Sequence, residues 1–359
     1  MINRERLIET FCKIVSIDSP SGEEKEIAKV FQDILEKLGF NVKEDSYGNL
    51  IANEGKKNPF MLSAHMDTVE PGRGINPIIK DNQIRSDGTT IVGGDCKAGI
   101  SAMIEALQSI QEDGTNRIGT EIVLTREEEL ALLGARNLDF SMISAKEGLI
   151  LDGEGPCSRI TSASPSYVGF DITISGRAAH AGVEPELGIS SIYIAAELIQ
   201  KLPQGRLDKE TTFNIGMIDG GSTRNTVPHI TNITGEFRSI NIETIDLLKT
   251  QLLDTINEVQ KLYPEAKIEH TLADDFHTYT IPPNNPSTEK IKKALKQIGL
   301  EPTMDSSGGG TDGNVFRLNG IDTTVVGIAC RNFHSVDEYV TISELVDLAH
   351  FCETLLKDI

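Results

Sequence analysis

No stretch of the 359-residue chain approaches the roughly 18 consecutive apolar residues that a membrane-spanning helix needs, which excludes a helical membrane protein. Cysteine is sparse and unpaired. The five residues Cys12, Cys96, Cys157, Cys330 and Cys352 form no CxxC pair and are odd in number, so a disulfide scaffold is excluded and reduced thiols in the cytoplasm are expected. Basic side chains are outnumbered, 34 Lys and Arg against 54 Asp and Glu, for a formal net charge of −20. A field of that sign repels nucleic acid and anionic membrane surfaces, and neither is expected as a partner. The opening residues, Met1 to Thr10, mix acids and bases at helical spacing and lack the apolar core of a signal peptide, in keeping with a cytoplasmic location. Common catalytic templates are missing too: there is no HExxH, no GxxxxGK[ST] and no Gly-x-Ser-x-Gly. Gly308-Gly-Gly310-Thr-Asp-Gly313 matches GxGxxG letter for letter. No βαβ unit and ribose-binding acid follow it, so no dinucleotide site is read there.

What is present is the composition of a globular protein, 38% hydrophobic and 25% charged. At about 150 residues per domain the length implies two domains. Helical and strand patterns alternate, which favours an α/β sheet. Leu7, Ile8, Phe11, Ile14 and Val15 share one helical face, and Ser21-Gly-Glu-Glu24 has the form of a capping box opening a helix that buries Ile27, Phe31 and Leu35. Short apolar runs at Phe60 to Ala64, Ile122 to Leu124, Leu149 to Leu151 and Thr323 to Ile328 suit buried strands. Ile100, Met103, Ile104 and Leu107 mark an amphipathic helix among them, and Thr341-Ile-Ser-Glu344 has the form of a second capping box. The middle of the chain reads as strand, helix, two strands, helix, strand from about Ser162 to Phe276, the order of a ferredoxin-like split unit. The expected organisation is therefore an α/β domain of residues 1–161 and 277–359, with a central mixed, mostly parallel sheet flanked by helices, interrupted by a β-α-β-β-α-β insert at residues 162–276.

Five segments carry candidate chemistry. Ser63-Ala-His65-Met-Asp67 puts an imidazole and a carboxylate two residues apart at a strand end, a spacing that suits a metal ligand with a carboxylate nearby, or a solvated turn. Gly93-Gly-Asp95-Cys-Lys-Ala-Gly99 sets a carboxylate between glycines and a helix start, where small residues let the backbone approach an ion or simply form a turn. Thr125-Arg-Glu-Glu-Glu129 follows a buried strand, where α/β sheets place their sites. There one carboxylate can bind a metal while its neighbour holds a proton. Asp152 ends a further strand, and His334 follows the apolar run Thr323 to Ile328. Each is weak alone; two His and several Asp/Glu at successive strand ends fit a pair of zinc-like ions.

Taken together, in order and over nearly the whole chain, these segments resemble the dinuclear zinc metallopeptidase family of aminoacylases, carboxypeptidases and tripeptidases. The peptidase T-like branch is suggested by Gly93 to Gly99, Gly309-Gly-Thr-Asp-Gly313 and Asn332-Phe-His-Ser335. The resemblance implies His65, Asp95, Glu129, Asp152 and His334 as ligands of two divalent ions, zinc in the first instance with cobalt or manganese also accepted. Asp95 would bridge, with His65 and Asp152 on one ion and Glu129 and His334 on the other. It implies Asp67 as the residue orienting His65 and Glu128 as general base. In the insert, acting as lid and dimerisation domain, it implies His180 as a residue reaching the partner subunit's site in a homodimer, and Asn225 and Arg238 as substrate contacts. Asp312 is expected either to receive the α-ammonium of a peptide or to cap the following helix.

Some positions depart from the family pattern. Cys96 replaces a usual Asp or Met, Arg126-Glu127 replaces Pro-Asp, and Ala131 replaces a frequent glycine. None removes a ligand or the base. The activity implied is release of the N-terminal residue of short peptides, tripeptides above all. The same ligands would equally serve an N-acyl-amino-acid amidohydrolase or a carboxypeptidase, and a silent dimeric binding protein is the reading from another class.

Overall fold

The computed structural model describes residues 1–357 and divides into two compact units. The first holds Met1–Ala163, Ile281–Ser307 and the chain from Thr311 onward; the second holds Ser164–Thr280 with Gly308–Gly310. No helix among the described residues is long and apolar enough to cross a membrane.

The first unit is built on a mixed sheet. Its neighbours run Asn41–Glu44, Leu50–Asn53, Thr120–Thr125, Phe60–His65, Glu147–Gly153, Asp322–Gly327 and Arg159–Ser164, with Thr303–Ser306 beside the last. The four strands from Thr120–Thr125 to Asp322–Gly327 are mutually parallel, and the flanking pairs on either side of them are antiparallel. Both faces of the parallel strands are covered. Leu62, Ala64, Ile122, Leu124, Leu149, Leu151 and Val326 pack into one core, while Met61, Val123, Ile150 and Val325 pack into another on the opposite face. Two-sided burial is why these strands read as continuous apolar runs instead of alternating ones. The register aligns their carboxyl ends, with His65 opposite Thr125 and Ser63 opposite Ile150, two residues before Asp152.

The helix marked by Ile100 to Leu107 is longer than its apolar face suggests, Gly94–Asp113, and it is buried on nearly all sides, not amphipathic. Its polar residues are paired inside the protein. Glu105 takes Arg6 Nε at 2.7 Å and Asn3 N–H at 2.6 Å, and Ser109 donates to Glu353 at 2.7 Å. Neither expected capping box forms. The helix Lys25–Lys37 starts after Glu24 without a side-chain cap, and Ile342–Leu356 starts after Thr341 likewise. Ser21 instead donates to Asp67 at 2.7 Å, Glu24 accepts from the Glu127 N–H at 3.0 Å, and Glu344 pairs with Arg331 at 2.7 Å. The capping box that does form joins Thr311 and Asn314 at the helix Asp312–Leu318.

The second unit is an antiparallel sheet in the order Gly205–Arg206, Thr211–Gly220, Ile230–Ser239, Ser166–Ser175, Lys267–Phe276. Leaving out the two-residue edge strand, this is the 4-1-3-2 order of a split β-α-β unit. In Ser166–Ser175 buried residues alternate with more exposed ones. Val168, Phe170, Ile172 and Ile174 face Ile194 and Leu198 of the helix Ser191–Lys201, and Leu252 and Ile256 of the helix Ile242–Leu262. The strand Ile230–Ser239 begins only after Asn225 to Val227, which pair with the segment around His180.

Candidate metal centre

The aligned carboxyl ends of the parallel strands deliver the side chains that the sequence singles out. His65 closes the strand Phe60–His65, Glu128 and Glu129 follow Thr120–Thr125, and Asp152 lies near the end of Glu147–Gly153. Asp95 sits at the start of the buried helix, after Gly93 in the left-handed region (φ 70°). His334 comes from the tip of a hairpin formed by Cys330–Arg331 and Tyr339–Thr341.

The geometry separates into two groups that share one carboxylate. His65 Nε2 lies 3.2 Å from Asp95 Oδ1 and 3.6 Å from Asp152 Oδ1. His334 Nε2 lies 3.3 Å from the other oxygen, Asp95 Oδ2, and 3.0 Å from Glu129 Oε1. Each group keeps its donor atoms within 4.8 Å of one another, and His65 lies within that same distance of Glu128 and Glu129, so the two groups adjoin. Imidazole nitrogen with carboxylate oxygen is the donor chemistry of zinc-like ions, and the two oxygens of Asp95 facing two separate groups fit a pair of them. Cys96 belongs spatially to the first group, but its thiol donates to the Leu151 carbonyl and toward Asp152. Burial, followed by the charge on Asp152, holds that thiol well above its ordinary pKa, so it stays a neutral donor.

Asp67 is fully buried and ties the site together. Its backbone carbonyl lies 3.0 Å from His65 Nδ1. A carbonyl can only accept, so Nδ1 carries a proton, and Nε2 is the nitrogen turned toward the carboxylates, where it donates to Asp95. Its carboxylate accepts from the N–H of Glu128 at 3.0 Å, from the N–H of Glu129 at 3.2 Å and from the Ser21 hydroxyl. One side chain therefore fixes the loop that bears both glutamates. That loop is also held from behind by Arg126, which pairs with Glu24 at 3.0 Å and Glu127 at 2.8 Å, while Tyr47 donates to Glu127.

The electrostatics are those of crowded acids. Burial works against charge on Asp95, but hydrogen bonds from His334 and His65 hold its carboxyl down at about 2. Burial pushes Asp152 up to about 7 and, with Asp152 beside it, pushes Glu128 well above the usual carboxylate range. His334 is raised to about 10 by its hydrogen bonds to Asp95 and Glu129. Asp312 is buried, at 2% exposure, and accepts from Thr125. Its Oδ1 has no hydrogen-bond partner, and burial raises its pKa to about 6. It is the first residue of its helix, and Thr311, not Asp312, is the cap.

His180, Asn225 and Arg238 all belong to the second unit. His180 and Asn225 are exposed and brought together: the Ala181 N–H donates to the Asn225 carbonyl at 3.0 Å, and His180 bridges to Thr226. Arg238 stacks 4.7 Å above the Tyr167 ring, with Nε on Glu236 at 3.0 Å. Sequence reasoning missed Glu338, which is buried and accepts backbone N–H groups at the start of the Asp95 helix. Its place four residues after His334 was the available signal.

Fold and cluster together define an α/β protein that gathers histidine and carboxylate side chains able to hold metal at parallel strand ends and carries a split β-α-β insert. Residues 163–264 match the M20 peptidase dimerisation domain. The chain is 36% identical to the uncharacterized protein YqjE of Bacillus subtilis over 370 residues, spanning 100% of this chain and 99% of that one. Among solved structures it is similar to aminopeptidase PepT from Bacillus cereus (35% identity, TM-score 0.86) and to a tripeptidase from Staphylococcus aureus (32%, TM-score 0.92), each covering 99% of this chain and 98% of the other. The chain belongs to the M20 peptidase family, in its peptidase T-like branch, and is a peptide-bond hydrolase of that family.

Proposed function

We propose that the chain is an aminopeptidase that removes the N-terminal residue of short peptides, tripeptides above all, at a dinuclear metal site. The observation that carries the reading is the division of His65, Asp95, Asp152, Glu129 and His334 into two ligand groups around the opposite oxygens of Asp95. The solved relatives, an aminopeptidase and a tripeptidase by name, support the class of substrate.

His65 and Asp152 would hold one ion, Glu129 and His334 the other, with Asp95 shared. Bound there, zinc-like ions lower the pKa of water and stabilise negative charge on a carbonyl oxygen. Glu128 is assigned as general base: it takes the proton of the attacking water and returns it to the departing amine. Its raised proton affinity suits a group that holds that proton between the two transfers. Asp67 holds Nδ1 of His65, which turns Nε2 toward the carboxylates, and sets the backbone position of Glu128. A free α-ammonium is assigned to Asp312, whose unpartnered Oδ1 can accept from it. Arg238 is assigned to the peptide carboxylate, a bidentate match, with Asn225 as a further substrate contact. His180 is assigned to the oxyanion in the partner's site. The match to a dimerisation domain supports the homodimer that this last role requires, and five free cysteines support a cytoplasmic location.

The test of the base is Glu128→Gln, which keeps shape and removes the proton acceptor. It should lower kcat by about 10³-fold, within the range for a general base, while two ions per chain remain bound by elemental analysis. Turnover at the wild-type level would reject the assignment.

A further inference from the structure

The Glu338 side chain is 1% exposed and sits at the foot of the hairpin that presents His334. Both of its oxygens are engaged. Oε2 accepts from the N–H groups of Val92 at 2.9 Å and Gly93 at 2.8 Å; Oε1 accepts from the Asp95 N–H at 3.2 Å and the Cys330 thiol at 3.4 Å. Three of these donors are backbone groups of the turn that delivers Asp95. The fourth belongs to the first strand of the hairpin itself. A buried carboxylate surrounded in this way is costly to leave unpaired, so its partners are fixed relative to it.

Two independent observations show that the contact between turn and hairpin is tight and that the hairpin needs holding. A Cβ on Gly94 would lie 2.5 Å from Cys330 Sγ and 2.7 Å from Val340 Cγ2, so only glycine permits the approach. Ala329, Asn332 and His334 all lie in the left-handed region, with φ of 64°, 59° and 62°. Non-glycine residues seldom adopt that conformation and keep it only where the surroundings over-determine it.

Resting on the dinuclear reading above, we propose that Glu338 is a positioning residue for the metal pair: it fastens the His334 hairpin to the Asp95 turn and thereby sets the affinity of the ion held by Asp95, Glu129 and His334. Asp95 and His334 come from segments more than 200 residues apart, and their ligand atoms meet only if turn and hairpin hold one spacing. Glu338 supplies that spacing without itself touching an ion. Its influence falls more heavily on the ion that needs His334, since the other ion shares Asp95 but draws His65 and Asp152 from strand ends that Glu338 does not contact.

The test is Zn²⁺ titration of the metal-free full chain by calorimetry, for wild type, Glu338→Gln and Glu338→Asp, with thermal unfolding in parallel. In Glu338→Gln the amide nitrogen meets backbone donors. The ion that needs His334 should then bind at least about tenfold more weakly, the scale of outer hydrogen-bond partners of metal ligands, while the other, which shares only Asp95 with it, weakens clearly less. Glu338→Asp keeps the charge at shorter reach and should lose less. It also carries the test if the glutamine variant does not fold. Two ions bound at wild-type affinity in both variants would overturn the proposal, as would equal weakening of both ions in step with a lowered melting temperature. A wild-type chain that takes up no ion at all would instead reject the dinuclear reading beneath it.

Discussion

At His334 a proton and a cation compete for the same place. In the metal-free protein the imidazolium is held by Asp95 and Glu129, which raise its pKa to about 10, and burial holds Asp152 at about 7. At neutral pH His334 therefore carries a proton, and Asp152 does so about half of the time, which the proposed ligand roles forbid. Ion uptake at pH 7 should release at least one proton per chain, and apparent affinity should rise as pH increases toward 10. Calorimetry in two buffers of different ionisation enthalpy measures this; identical heats in both would contradict it. The same linkage acts on the metal-free fold. The His334 pKa is raised over its unfolded value near 6.5, so its contribution to stability is complete below that pH and is lost as pH rises through about 10.

At the scale of elements, the loop Arg126 to Leu132 decides where the base stands. Glu127, Ala131 and Leu132 have positive φ, and the loop is closed from behind by Gly134, where a Cβ would lie 1.9 Å from the Arg126 carbonyl oxygen. Gly134→Ala must therefore push the backbone that carries Glu128 and Glu129. Overpacking of this kind costs about 1–3 kcal/mol. The variant should show a lower melting temperature together with a fall in kcat, and wild-type kcat would show that the base tolerates the displacement. Local signals failed at the same scale. Ser21 and Glu24 satisfy the capping-box pattern, yet Asp67 and the Glu127 N–H take them. Glu344 goes to Arg331. A pattern within four residues cannot announce that a partner 13, 46 or 103 residues away offers a charge-assisted bond. The proposed ligands His65 and Asp152 were easier to single out, because they lie at the ends of apolar runs, where a polar residue stands out. The buried Glu105 and Lys97 broke the apolar pattern of their helix, so its full burial was not legible; Glu105 pairs with Arg6, and Lys97 reaches the Ile17 carbonyl.

At the scale of the whole molecule, the split β-α-β order of the second unit was visible from alternation of strand and helix patterns, because that unit's sheet buries one face and its strands alternate. The edge strand Asn41–Glu44 and its neighbour Leu50–Asn53, and the small sheet containing Ile78–Lys80 and Gln83–Arg85, were not visible. They are three or four residues long, too short to establish a period, and three of the four have exposed positions. Chemistry and specificity also separate at this scale: the proposed ligands and base belong to the first unit, while His180, Asn225 and Arg238 belong to the second. The central claim is that metal-dependent hydrolysis here begins at a free N-terminus. It is tested by mass-spectrometric cleavage of a free tripeptide, its N-acetyl form, its C-terminal amide and an N-acyl amino acid, with and without chelator. The account predicts that only peptides with a free amine lose their first residue, that chelation abolishes the reaction and that added metal restores it. Cleavage of the acylated substrates in place of the free tripeptide, or turnover undiminished by chelation, would contradict it.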